Sequence, residues 1–152
     1  MVVREYKEED LMNVTKLFRS YFKTHTLFEQ SEEKVLEHLQ EQVKKNPLMV
    51  CEENGEILGA VFLVTKNNEG DHKLWKLRHF AFTRADMGSL LLGEAEKKVQ
   101  ESSKTAKVEL TIAETEEGID FFKMRGYEQE GILKNHYRWD ERCYVLSKSF
   151  NS

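Results

Sequence analysis

The chain has 152 residues and a formal net charge of -4, with 39% hydrophobic and 33% charged residues. That length and composition suit one soluble globular domain spanning 1–152, with room for a sizeable core. The acidic balance gives no support to nucleic-acid binding, and no apolar run approaches the roughly 20 residues that cross a bilayer.

Val2 to Tyr6 reads as a first strand, and Met1-Val-Val-Arg-Glu-Tyr-Lys lacks the apolar stretch of a signal peptide. Glu8 to about Phe22 reads as a helix with Leu11, Val14, Thr15, Phe18 and Phe22 on one face. Glu8, Glu9 and Asp10 fall in its first turn, where negative charge complements the helix dipole. Ser31-Glu-Glu-Lys opens a second helix with an N-cap residue, followed by the apolar stripe Val35, Leu36, Leu39 and Val43. The single proline, Pro47, fits a strand entry. Leu48 to Glu53 and Ile57 to Thr65 are apolar, β-branched runs, and Asn54-Gly55 between them is a hairpin signal because both residues tolerate positive φ. Asn67-Asn-Glu-Gly-Asp marks a second turn before a strand from Leu74 to Thr83.

A helix follows from about Met87 to Ser102, with Leu90, Leu91, Ala95 and Val99 expected inward. Lys107 to Ala113 alternates Val108, Leu110 and Ile112 with polar residues, the period of a half-buried strand. Ile119, Phe121 and Phe122 take helical spacing, and Gly126 stands where a helix needs a left-handed C-cap. Tyr127 to Leu133 and Cys143 to Ser147 form a last antiparallel pair across a charged loop. The order β-α-α-β-β-β-α-β-α-β-β argues for an α+β fold, a mixed sheet with helices on both faces. Cys51 and Cys143 lie far apart with no metal-ligand spacing, which reads as two reduced core thiols of a cytoplasmic protein and no metal site.

Two stretches carry chemistry. Asp86-Met-Gly-Ser-Leu-Leu-Leu92 is a tight turn into a helix, and free N–H groups at a helix start bind phosphate. Thr115-Glu-Glu-Gly-Ile-Asp-Phe-Phe-Lys-Met-Arg-Gly-Tyr127 is a short helix with a glycine stop. With the element order, these resemble the GNAT superfamily of acetyl-CoA-dependent N-acetyltransferases over nearly the whole chain. The superfamily's first pattern runs Arg or Gln, Gly-x-Gly, then x-x-Leu-Leu. Gly88 and the leucines match it. Asp86 replaces the first glycine, Thr83 or Arg84 stands at the Arg/Gln position, and the segment after Phe82 is several residues shorter than usual. The second pattern runs Asn-x-x-Ala-x-x-Phe-Tyr-x-x-x-Gly-Phe. Phe121, Gly126 and Tyr127 agree in kind, Thr115 replaces the asparagine as N-cap, and Phe122 replaces the tyrosine that protonates the CoA thiolate.

The resemblance implies acetyl-CoA as cosubstrate and a small amine or a peptide or protein amine as acceptor. It places the diphosphate against Arg84, Met87, Gly88 and Ser89, with Asp86 capping the helix through the N–H of Gly88 or Ser89. Backbone N–H groups of Phe80, Ala81 and Phe82 would hold the thioester carbonyl. Thr115 and Phe122 fall on the cofactor side, and the strand to Ala113 flanks the opening for pantetheine. The superfamily's catalytic glutamate is absent, with Arg78 near its position. His79 is then the nearest candidate base that titrates near neutrality, and sheet packing is its plainer role. Tyr137, with His136 and Tyr144 nearby, is a candidate acid. Tyr21 and Phe28 fall in the region that covers the acceptor. The departures at Phe122, Asp86 and Arg78 also fit an alternative, a non-catalytic CoA sensor or protein-interaction module. Superfamily members often pair as homodimers through edge strands, and the sequence leaves the oligomeric state open.

Overall fold

Asn54 and Gly55 both take positive φ, 53° and 81°, and turn the chain between β2 (Leu48–Glu53) and β3 (Glu56–Asn67) as their residue types require. The computed structural model describes residues 1–23, 26–67 and 70–151, the side chains at 26 and 67 excepted. The turn expected at 67–71 includes residues 68 and 69, which lie outside the described residues. The other strands are β1 (Val2–Glu5), β4 (His72–Phe82), β5 (Thr105–Ala113), β6 (Glu128–Lys134) and β7 (Arg142–Asn151). The helices are α1 (Leu11–Tyr21), α2 (Glu32–Val43), α3 (Ala85–Ser102) and α4 (Ile119–Lys123). The seven strands pair in the order β1-β2-β3-β4-β5-β7-β6, a mixed sheet in the expected α+β order.

The backbone groups into two compact units, with β3, β4 and α3 divided between them. The first holds Met1–Val64 and Leu77–Lys98. Leu11, Val14 and Phe18 of α1 and Val35 and Leu39 of α2 pack with Val50, Ala60, Phe62 and Ala81 of the sheet. On the other face, Cys51, Val61 and Leu63 are buried, and a Cβ added to Gly59 would lie 3.4 Å from Leu91 Cδ2 of α3. The inward stripe of α3 is Met87, Leu91, Leu92, Ala95 and Val99. Leu90, expected inward, is 38% exposed, because an inward face that contains both Met87 and Leu91 leaves the position before Leu91 to solvent.

The second unit holds Thr65–Lys76 and Val99–Ser152. Ala106, Val108, Leu110 and Ile112 alternate inward along β5. This strand pairs antiparallel with β7 from Thr105↔Asn151 to Ala113↔Cys143. It pairs parallel with β4 from His72↔Thr105 to Lys76↔Glu109. Gly126, at φ 94°, ends α4 as expected. Its N–H donates to the Lys123 carbonyl at 3.2 Å and the Tyr127 N–H to the Phe122 carbonyl at 3.1 Å, the paired bonds of a Schellman end. The accompanying apolar contact is Tyr127 on Phe122, with ring centroids 5.5 Å apart.

The expected helix from Glu8 begins as a 3-10 turn over Glu8–Asp10, and α1 starts at Leu11. Asp10 is 6% exposed. Its carboxylate accepts from Arg4 at 2.8 and 3.1 Å and from the Lys7 N–H at 2.7 Å. The Arg4 hydrogen bonds, assisted by the Lys7 N–H and opposed by burial, hold this carboxyl below its usual range. A carboxyl depressed in the folded state adds stability above its unfolded pKa, about 4, and loses it as pH falls through the folded value. Asp10→Asn is therefore expected to lower stability by about 1–3 kcal/mol at pH 7. Urea unfolding as a function of pH should show that deficit shrinking once the solution is more acidic than the usual carboxylate range.

Candidate functional site

Strand β4 carries the first feature. Trp75 and Leu77 are buried in alternation, but Phe80 and Ala81 are then buried in succession. The break falls at His79, whose φ of 54° is uncommon for a residue with a Cβ. Phe80 is 8% and Ala81 0% exposed, while Phe82 is half-buried with its ring 5.8 Å from Tyr21 and 5.6 Å from Phe80.

The His79 imidazole enters an aromatic cluster of the first unit. Its centroid lies 4.9 Å from Phe28, 5.8 Å from Phe18, 6.0 Å from Phe62 and 6.1 Å from Phe22. Phe28, expected near the acceptor, is 2% exposed and stacks on Phe22, so it belongs to the core. Tyr21 is 36% exposed. His38 of α2 lies 5.9 Å from His79, and sequence reasoning missed it. Burial, reinforced by the charge of Arg78, pushes the His38 pKa down and favours a neutral ring. Its Nε2 is buried without a hydrogen-bond partner. The available signal was the spacing His38, Gln42, Asn46, a polar row beside the Leu39 stripe.

The start of α3 carries the second feature. The helix begins at Ala85, so Asp86 sits inside its first turn. The Gly88 N–H donates to the Arg84 carbonyl at 3.0 Å, and Asp86 Oδ1 accepts instead from the Met87 N–H at 2.9 Å. The expected cap onto Gly88 is thus corrected: an earlier helix start commits that N–H to the backbone. Arg84 pairs with Asp86 at 3.1 Å and with Glu53 at 2.9 Å. Arg84, with help from the Met87 N–H, holds the Asp86 carboxyl below its usual range. Met87 is fully buried, its sulfur 3.3 Å from the Thr83 hydroxyl, while Ser89 is exposed.

The second unit gathers a charged group around Glu141, which is 8% exposed. Its Oε2 accepts from the Thr115 hydroxyl at 2.8 Å and Arg138 Nε at 2.9 Å, and its Oε1 is buried without a partner. Thr115 was expected to cap α4. That N-cap is Gly118 at φ 115°, and the Thr115 hydroxyl serves Glu141 instead. Tyr137 is hydrogen-bonded to Thr111, and its ring lies 4.7 Å from His136. Phe122 is 4% exposed, packed between Phe121 and Tyr127. The two candidate catalytic residues belong to different units, His79 to the first and Tyr137 to the second. Both cysteines are free and buried, and no metal-ligating cluster occurs among the described residues.

No protein-family model and no curated protein matches the chain. Solved structures do. The chain is similar to an aminoglycoside 6'-N-acetyltransferase complexed with coenzyme A, at TM-score 0.80 and 15% identity over 98% of this chain and 97% of that one. It is similar to a ribosomal-protein-alanine N-acetyltransferase from Brucella melitensis, at TM-score 0.76 and 16% identity over 99% and 100%. It is also similar to an acetyltransferase of the GNAT family from Streptococcus pneumoniae, at TM-score 0.71 and 18% identity over 99% of both chains. The fold is therefore that of the GNAT acetyltransferases, as the motifs implied.

Glu116 gives a test of the charged group. Burial raises its pKa, the Glu141 charge adds to this, and Arg138 with the Ala113 N–H opposes it. A carboxyl raised in the folded state ionises first in the unfolded chain, so stability falls as pH rises through the unfolded value toward the folded one. Glu116→Gln removes that loss. Chemical denaturation is expected to find the variant more stable than the parent at pH 7, with the gain vanishing near pH 3.

Proposed function

We propose that this GNAT-fold chain is an N-acetyltransferase that moves an acetyl or other short acyl group from acetyl-CoA to a primary amine. The observation that carries the reading is the break of β4 at His79, followed within a few residues by the start of α3 at Ala85, with the buried Gly88 in its first turn. Such a break interrupts regular pairing, and in this reading N–H groups among Phe80, Ala81 and Phe82 turn toward the thioester. Donors of that kind stabilise the oxyanion that forms when a thioester carbonyl is attacked. The first turn of α3 supplies a positive dipole end and the N–H groups ahead of Gly88, that of Met87 among them once Asp86 releases it, to the diphosphate.

Asp86 must yield for this to happen. Its carboxylate now holds the Met87 N–H, and a diphosphate arriving there is repelled until Asp86 rotates away. Arg84, released from Asp86, then becomes a cation for the incoming phosphate. The amine attacks the carbonyl carbon, the C–S bond breaks, and the amine's proton passes to His79. The departing thiolate, a good leaving group, takes its proton from water. Thr115 and Phe122, expected on the cofactor side, contribute in this reading by holding Glu141 and the end of α4. A primary alkylammonium must lose its proton before attack, so the rate should rise with pH until the acceptor amine is deprotonated.

The same Asp86 contact and the buried Phe122 favour a second reading, a CoA sensor that binds without turnover. Free-thiol release from acetyl-CoA, measured with peptide N-termini, polyamines and aminoglycosides, separates the two. The transferase reading expects release with at least one acceptor. Saturable CoA binding with no release from any amine supports the sensor. Asp86→Ala is expected to tighten CoA binding about tenfold by calorimetry. An unchanged affinity would show that the diphosphate does not use this helix start.

A further inference from the structure

Arg78 stands on β4 near the position where the GNAT resemblance places a glutamate. It is half-buried, and a guanidinium does not give up its proton in proteins, so the charge is permanent. Among the described residues it makes no ion pair. Its NH1 donates to Gln42 Oε1 at 3.1 Å, and the same oxygen accepts from Asn46 Nδ2 at 3.2 Å. Two side chains of α2 and its C-terminal turn thus fix the guanidinium while leaving most of its donors uncommitted. The nearby acids of α2 do not neutralise it, since Glu41 pairs with Lys44 at 2.9 Å and Glu37 is exposed. A half-buried guanidinium with a fixed orientation and no counter-charge is suited to an anion.

The surroundings define the anion further. His38 lies close enough to feel the charge of Arg78, and its buried Nε2 has no partner. His79 follows Arg78 directly, 4.9 Å from Phe28. A fixed guanidinium therefore stands beside the residue assigned to receive the amine's proton. A polycationic acceptor would meet like charge here, whereas planar carboxylates match the guanidinium fork. We infer that Arg78 binds a carboxylate of the acceptor, so that the substrates are small amines carrying an acid group rather than polycationic amines. This inference rests on the transferase reading of the same site.

The test uses ω-amino acids of increasing chain length, each paired with its ω-amino amide, in the thiol-release assay with acetyl-CoA. The acid is expected to exceed the amide in kcat/KM by roughly tenfold to a hundredfold at the best length. Arg78→Gln should bring that ratio to within about twofold, and Arg78→Lys should keep part of it, with thermal melting confirming that both variants fold. Preference for amides or polyamines in the parent protein, or an unchanged ratio in Arg78→Gln, overturns the inference. If CoA binds and no amine releases thiol, the transferase reading fails by itself. The amino acids alone then decide the carboxylate site: a rise in melting temperature that Arg78→Gln abolishes supports it, and no rise overturns it.

Discussion

One residue in a left-handed backbone conformation organises the first unit. His79 holds φ at 54° despite its Cβ, a conformation that costs on the order of 1–3 kcal/mol unless its surroundings enforce it. The rings of Phe18, Phe22, Phe28 and Phe62 enclose its imidazole and offset that cost. The break lets Phe80 and Ala81 be buried in succession and sets the direction from which β4 enters the turn to α3. Structure and proposed chemistry meet at this residue, since packing orders the group assigned to accept a proton.

The departures from the superfamily's patterns are mostly changes of charge, and their effects differ with environment. Asp86 is an exposed carboxylate stabilised by a helix start and by Arg84, so it can move at modest cost. Arg78 is half-buried and braced by Gln42 and Asn46, so its charge is fixed in place. Under the proposed function, the first change bears on entry of an anionic cosubstrate and the second on which acceptors are tolerated. Phe122 is an apolar change: a buried ring completes the packing of the α4 end against Tyr127, where a phenol would need a hydrogen-bond partner.

Local signals in the sequence were strong enough to place the strands, the hairpin and the helix stop. Asn54-Gly55 and Gly126 each answer a backbone requirement that few residue types meet, so they could be read singly. Ser31 caps α2 as its residue type suggests, but the starts of α3 and α4 were harder to read, because an N-cap depends on where the preceding strand releases the chain. Thr115 and Asp86 are both acceptable caps by residue type, and both are used otherwise. The polar row of His38, Gln42 and Asn46 could be read, but not what it faces, and only one of Glu141's partners, Arg138, is near in sequence. Arg78 reaches Gln42 across 36 residues and Thr115 reaches Glu141 across 26. Periodicity reports which face of an element is apolar, and it carries no record of which polar groups meet across elements.

The most direct test of how this chain engages acetyl-CoA, the premise of the whole account, is residue-resolved. Backbone amide resonances would be followed by NMR while acetyl-CoA is added to the folded protein. Engagement of the thioester carbonyl and diphosphate predicts saturable shifts at Ala81 and Phe82 together with Ala85 to Gly88. Resonances at both segments that stay unmoved at saturating acetyl-CoA would contradict it.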